Sequence, residues 1–128
     1  MYRNPYNSYA SYRGKYWHIQ YPEDPVCTPQ RFGRHWRELL EGFIASSHKV
    51  NSIVLKYEDL CERNVDFDNL ESFLGLKLNK KVLDKVIFST KKQLSSEGEI
   101  RVLSSVIEPL ASSLGYSYQE ELYGKNNP

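Results

Sequence analysis

The sequence predicts an α/β protein that is mainly helical and carries one central strand, at about residues 52–57. Ile53, Val54 and Leu55 are consecutive apolar residues, and a run without polar alternation is typical of a parallel strand covered on both faces. Elsewhere apolar residues recur with the period of a helix. A central strand needs neighbours on both sides for its backbone hydrogen bonds, and no second candidate occurs. We therefore expect the chain to be the C-terminal part of a larger domain and, by itself, an incomplete domain.

The amino-acid composition and the net charge indicate the general class of protein. The 128 residues are 40% hydrophobic and 26% charged, which is typical of one soluble globular domain. A net charge of +1 gives no broad basic field for nucleic acid or an anionic membrane. Cys27 and Cys61 lack the spacing of metal ligands. They can be two reduced thiols or form one disulfide, and the sequence does not decide between these two states.

The first residues have the pattern of a helix start beside an anion site. Asn4 is a good N-cap, and Pro5 suits the first helical position because its missing N–H would be unpaired there anyway. Ser8 and Ser11 then share one stripe, and Arg3 can fold along the flank of the helix toward Ser11. A planar guanidinium with a hydroxyl is a suitable clamp for phosphate. An ordinary helix start with a solvated arginine is the alternative.

Further helices follow from capping signals. Thr28 and Pro29 begin a long amphipathic helix that ends near Ser46. Its apolar residues keep the helical period over three turns: Phe32, Trp36, Leu39, Leu40, Phe43 and Ile44. A tight pair of prolines predicts a loop over residues 21–25.

Three shorter helices are predicted toward the C-terminus. Asp68 can cap one that Gly75 closes, and Asn79 can start another that runs through Ile87. Ser96 and Glu99 fit the capping-box pattern, and the helix that they open is predicted to kink at Pro109 and to end at Gly115. Residues 119–128 are expected to form a flexible tail.

Several of these features occur together in the order found in one family. They are Arg3-Asn4-Pro5 with Ser11 and Tyr12, the helix containing Trp36, the segment Ile53-Val54-Leu55-Lys56-Tyr57-Glu58-Asp59-Leu60, the helix end Phe73-Leu74-Gly75 and the closing Leu114-Gly115-Tyr116. This pattern resembles the C-terminal half of the sulfotransferases that use 3′-phosphoadenosine 5′-phosphosulfate, over roughly residues 2–118. The resemblance implies a P-loop-like sulfotransferase fold.

The resemblance also implies a division of roles. Arg3 and Ser11 match the pair that grips the 3′-phosphate of the nucleotide, and Tyr57 matches the tyrosine near the adenine. Glu58 and Asp59 are expected to be structural. The partners implied are the nucleotide co-substrate, a hydroxyl or amine acceptor of unknown identity, and the missing N-terminal half of the same domain.

The same resemblance implies that the catalytic residues are not among these 128 residues. The catalytic residues and the loop that holds the 5′-phosphosulfate are expected upstream of Met1, so this chain alone is not expected to transfer the sulfuryl group; no metal is implied. No membrane span or signal peptide is visible. The compartment stays open, since a targeting signal would precede Met1, with the cytoplasm favoured for this segment.

Two other functions fit parts of the pattern. A non-catalytic helical interaction module would use the Phe32–Ile44 face to bind a partner, although a helix of this length usually packs that face inward. A single-stranded nucleic-acid binder would use the tyrosines, six of which fall in the first 21 residues, for base stacking. The near-zero net charge counts against the second function.

Overall fold

The computed structural model describes residues 1–14, 28–85 and 95–123. Within these ranges the regular structure is helical, apart from one isolated β-bridge. The helices are α1 (Pro5–Gly14), α2 (Pro29–Ser46), α3 (Tyr57–Cys61), α4 (Phe67–Leu74), α5 (Lys80–Lys85), α6 (Glu97–Ile107), α7 (Leu110–Ser113) and α8 (Tyr118–Tyr123), with a 3₁₀ turn at Ser47–Lys49. The loop predicted at 21–25 and the residues after 85 in the helix that Asn79 starts lie outside the described residues.

The strand predicted at about 52–57 is absent from the described part of the chain. Residues 51–55 have no regular structure, and α3 already begins at Tyr57. What forms is one parallel bridge: the Tyr2 N–H donates to the Leu55 carbonyl at 2.9 Å, and the Tyr57 N–H donates to the Tyr2 carbonyl at 2.8 Å. The bridge pairs Tyr2 with Lys56 alone, whereas a strand needs a partner that pairs with it over several residues, so the described residues form no central strand.

The helix starts follow the predicted caps in most cases. The Asn4 side-chain oxygen accepts from the Tyr6 and Asn7 N–H groups at 2.9 and 3.2 Å, which confirms the start of α1. Thr28 caps α2 through the Arg31 N–H at 3.2 Å, and the capping box of Ser96 opens α6.

Two details near the later helices differ from the prediction. The cap of α4 is Asp66, whose carboxylate accepts from the Asn69 N–H at 3.0 Å, and Asp68 lies in the first turn instead. The predicted kink at Pro109 is a break: α6 ends at Ile107 and α7 starts at Leu110. Proline lacks the N–H that a continuous helix would use, and its ring clashes with the preceding turn.

The part of the expected tail that the structure describes is helical up to Tyr123 in α8. Tyr118 packs against the core, and the Glu121 carboxylate accepts from the Asn4 side-chain N–H at 3.0 Å. These two contacts attach α8 to the start of α1, while residues 124–128 lie outside the described ranges.

The core lies between α1, α2 and α6 and is rich in tyrosine. Its buried members are Tyr6, Tyr9, Ile100, Leu103, Ile107, Ala111 and Tyr116. Helices α2 and α6 share the most extensive packing, and Gly33 of α2 lies directly against α6. A β-carbon placed on Gly33 would lie 3.0 Å from a methyl group of Leu103 and 3.2 Å from one of Ile107.

The apolar face of α2 is only partly used by this core. Phe32 and Trp36 pack against the cluster, and Leu40 is buried. Leu39 is 61% exposed and Ile44 is 46% exposed, so the C-terminal half of the face is open within the described structure. This open region borders the residues that carry the candidate site.

Replacing Gly33 tests the close approach of α2 to α6. Gly33→Ala gains helix propensity but forces a methyl group into a packed contact, and overpacking costs about 1–3 kcal/mol. Gly42, in the same helix, has no neighbour within 4 Å of its would-be β-carbon, so Gly42→Ala should stabilise the protein. Urea unfolding should place Gly33→Ala below Gly42→Ala by that amount. Equal stabilities would contradict the packing described for α2 and α6.

Candidate functional site

The parallel bridge brings two of the three predicted nucleotide-binding residues together. Arg3 directly follows Tyr2, and Tyr57 directly follows Lys56, so both side chains leave from the same end of the bridge. The Arg3 guanidinium carbon lies 4.9 Å from the centre of the Tyr57 ring. This distance is that of a cation–π contact.

Ser11, the third predicted residue, lies on α1 and is half-buried. It is not one of the residues that line the groove containing Arg3, whereas Ser8, one turn earlier on the same stripe, does line it. The sequence placed both serines on one face by their spacing of three. It could not indicate which of them lies beside Arg3, because that depends on where α1 packs.

The groove lies between α1, α2 and the extended segment that precedes α3, and it has a volume of about 420 Å³. Its lining consists of Met1, Tyr2, Arg3, Ser8, Trp36, Leu39, Leu40, Phe43 and Val54. The walls are mainly apolar, and Arg3 supplies a positive charge. A groove of this size, with few polar groups on apolar walls, suits a small molecule that has an anionic end.

The Tyr57 phenol is uncharged near neutral pH. A hydrogen bond with the Cys61 side chain raises its pKa, burial raises it further, and the Arg3 charge lowers it by less. The ring therefore faces Arg3 as a neutral π-system. Cys61 is a free thiol, while Cys27 lies outside the described residues.

Glu58, the next residue, is tied into the core on both of its carboxylate oxygens. One oxygen accepts from the Asn4 backbone N–H at 2.7 Å, and the other accepts from the Tyr116 hydroxyl at 2.9 Å. Burial, and next the Glu58 charge, raise the pKa of Tyr116 well above its ordinary range, so its hydroxyl remains a donor. The structural role expected for Glu58 is confirmed.

Trp36 also contacts the first residues of the chain. The sequence pattern did not indicate it as a site residue. Its indole N–H donates to the Arg3 carbonyl at 3.2 Å, across 33 residues of sequence. In the sequence, Trp36 stands out only as a member of the apolar period of α2. A single tryptophan in such a period gives no indication that its N–H reaches another segment.

The other end of α1 is attached to α6. The Tyr9 hydroxyl donates to the Glu99 carboxylate at 2.6 Å, and the Arg13 guanidinium nitrogen lies 3.5 Å from the same oxygen. Burial would raise the pKa of Glu99, but hydrogen bonds from Tyr9 and Ser96 outweigh it, and the pKa is lowered from its ordinary value. These contacts fix the helix that presents Ser8 and Ser11.

Within residues 1–14, 28–85 and 95–123, no cluster of three or more His, Cys, Asp or Glu side chains could hold a metal ion. No helix there has both the length and the apolar character needed to cross a bilayer.

Comparison with known proteins gave no match to any family model, curated protein or solved structure. The sulfotransferase assignment therefore stays a prediction that rests on the motifs of the sequence. The structure adds the position of the Arg3 guanidinium over the Tyr57 ring, which the sequence does not give.

The Glu99 contacts predict a specific response to acid. A carboxylate with a lowered folded-state pKa stabilises the protein above its unfolded pKa, and this stabilisation is lost as the pH falls through the folded value. Tyr9→Phe removes one of the bonds that lower the pKa of Glu99. The free energy of unfolding should then fall less steeply below about pH 5 than in the wild type.

The matched control is Tyr6→Phe, which removes a tyrosine hydroxyl from the same helix that makes no hydrogen bond to a carboxylate among the described residues. It should leave the acid dependence as it is in the wild type. Denaturant titrations from pH 7 to about pH 3 measure these slopes. Identical slopes for the wild type and Tyr9→Phe would show that the Tyr9 hydroxyl does not hold the Glu99 charge.

Proposed function

We propose that this chain is part of a sulfotransferase that uses 3′-phosphoadenosine 5′-phosphosulfate, and that it supplies the site for the 3′-phosphate. The observation that supports this most directly is the position of the Arg3 guanidinium over the Tyr57 ring, with 4.9 Å between its carbon and the ring centre. No carboxylate of the described residues forms an ion pair with Arg3. A cation–π contact does not pair the guanidinium with an acceptor oxygen, so its N–H groups can still donate to a phosphate.

The serines of α1 suit the same ligand. Ser11 is the residue that the resemblance pairs with Arg3, and Ser8 lines the same groove as Arg3. Either hydroxyl can donate to a phosphate oxygen while the guanidinium supplies the charge. The neutral ring of Tyr57, beside Arg3, would then contact the nucleoside part of the ligand.

Such a site contributes binding and orientation to group transfer. The reaction passes a sulfuryl group in line to a hydroxyl or amine and leaves adenosine 3′,5′-bisphosphate. Binding energy at the remote 3′-phosphate holds the reacting end in position.

The apolar region beside the groove favours a second candidate function, a protein-interaction module. Leu39, Phe43 and Val54 line the groove and are 61%, 39% and 47% exposed. In the sulfotransferase proposal the same region packs against the rest of the domain.

Among the described residues, the backbone of residues 51–54 makes no backbone–backbone hydrogen bond. An extended apolar segment with free backbone groups suits a neighbouring β-strand better than a helical partner.

The Arg3 assignment is tested by nucleotide binding. Arg3→Ala should weaken the binding of adenosine 3′,5′-bisphosphate by about 1.5–3 kcal/mol, the range for a hydrogen bond to a charged group. Isothermal titration calorimetry on the 128-residue chain measures this. Arg34→Ala, which removes an exposed arginine from α2, is the control and should bind as the wild type does. Equal affinities for Arg3→Ala and the wild type would remove Arg3 from the site.

The open apolar region predicts self-association of the chain when it is alone in solution. Phe43→Lys places a charge in this region and should lower the average mass measured by light scattering at a given concentration, because apolar contact between copies is then disfavoured. Glu41→Lys, on an exposed position of the same helix, is the control for the change in charge. A similar decrease with both variants would show that charge, and not the apolar region, controls association.

A further inference from the structure

The peptide group between Arg3 and Asn4 is held on both of its polar atoms. Its carbonyl oxygen, on Arg3, accepts from the Trp36 indole N–H at 3.2 Å. Its N–H, on Asn4, donates to the Glu58 carboxylate at 2.7 Å. A peptide group is planar, so two bonds to opposite edges fix the orientation of the plane and with it the direction in which the Arg3 side chain leaves the backbone.

Glu58 is itself held from the core. Its second oxygen accepts from the Tyr116 hydroxyl at 2.9 Å, and Tyr116 is only 5% exposed. The Tyr116 ring meets Trp36 edge-on, with 6.5 Å between the ring centres. The two side chains that grip the peptide are therefore braced against the same buried ring.

Glu58 also follows Tyr57 directly in the chain. One end of α3 thus supplies both the ring on which the Arg3 guanidinium lies and the carboxylate that grips the Arg3–Asn4 peptide. A movement of the peptide relative to α3 would change both contacts together. The position of the guanidinium over the ring is set by the same hydrogen bond that positions the backbone.

We propose that Glu58 is a positioning residue for the anion site: with Trp36 and Tyr116 it clamps the Arg3–Asn4 peptide and holds the Arg3 guanidinium where it can receive a phosphate. The identity of the phosphate as that of a 3′-phosphonucleotide rests on the function proposed above. The clamp, which consists of Glu58, Trp36 and Tyr116, does not depend on that function.

A carboxylate beside an anion site opposes the ligand by its charge, so the clamp makes a distinctive prediction. Glu58→Gln keeps an oxygen for the Asn4 N–H, and its amide can donate to the Tyr116 oxygen, because a tyrosine hydroxyl can also accept. The geometry is retained and the negative charge is removed. Glu58→Ala removes both. Asp59→Ala, which deletes the neighbouring carboxylate, is the matched control.

The experiment measures binding of adenosine 3′,5′-bisphosphate to the 128-residue chain, together with the NMR shift of the Arg3 side-chain protons above the Tyr57 ring. Glu58→Ala should lower the affinity at least about tenfold, as expected when a hydrogen bond to a charged group is lost. It should also remove the ring-current shift of the Arg3 protons. Glu58→Gln should keep the shift and bind the bisphosphate as tightly as the wild type or more tightly. Asp59→Ala, which also removes a negative charge, should keep the shift and should not weaken binding.

The outcomes separate this inference from the proposed function. If the wild type binds the bisphosphate and Glu58→Ala binds equally well with the Arg3 shift unchanged, the clamp is overturned and the function stands. If the wild type does not bind, the proposed function is overturned, but the clamp is still tested. Loss of the Arg3 shift in Glu58→Ala then supports the clamp, and an unchanged Arg3 shift overturns it.

Tyr116→Phe is the second variant, for use if Glu58→Ala unfolds. It removes one hydroxyl and leaves the ring contacts in place, so the fold is less disturbed. The Arg3 shift should decrease in this variant, because one oxygen of Glu58 loses its partner. A wild-type Arg3 shift in Tyr116→Phe would overturn the role of the hydroxyl in the clamp.

Discussion

The parallel bridge between Tyr2 and Lys56 is the constraint on which the rest of the site depends. Its two hydrogen bonds join segments that are 54 positions apart, and both segments turn into helices immediately afterwards. The bridge brings the backbones of Arg3 and Tyr57 together. The Asn4 N–H reaches Glu58 for the same reason. A slip of one residue in this register would place different side chains beside each other and disperse the site.

Features that depend on a few consecutive residues could be predicted from the sequence. The caps at Asn4, Thr28 and Ser96 are confirmed because each is decided by hydrogen bonds within one turn. The error at Asp68 has a similar origin, since Asp66 satisfies the same capping rule two positions earlier and the pattern does not rank them. The strand at about 52–57 was wrong because a strand requires a neighbour that local sequence cannot supply.

The candidate site shows the same limit. The family resemblance selected Arg3 and Tyr57, and the bridge places them in contact. It also selected Ser11, while the groove beside Arg3 is lined by Ser8. Trp36 and Tyr116 belong to the pattern of the resemblance, but their roles beside Arg3 could not be predicted, because their polar atoms act across 33 and 58 residues of sequence and nothing in their local pattern marks those distances.

The position of Trp36 has a spectroscopic consequence. The indole lines the groove, bonds to the backbone of Arg3 and lies 6.5 Å from the Tyr116 ring centre, well within the range of energy transfer from tyrosine. Its emission depends on the polarity around the ring and on that hydrogen bond. With Trp17 as the one other tryptophan of the chain, this fluorophore is a natural optical reporter of whatever enters the space beside Arg3.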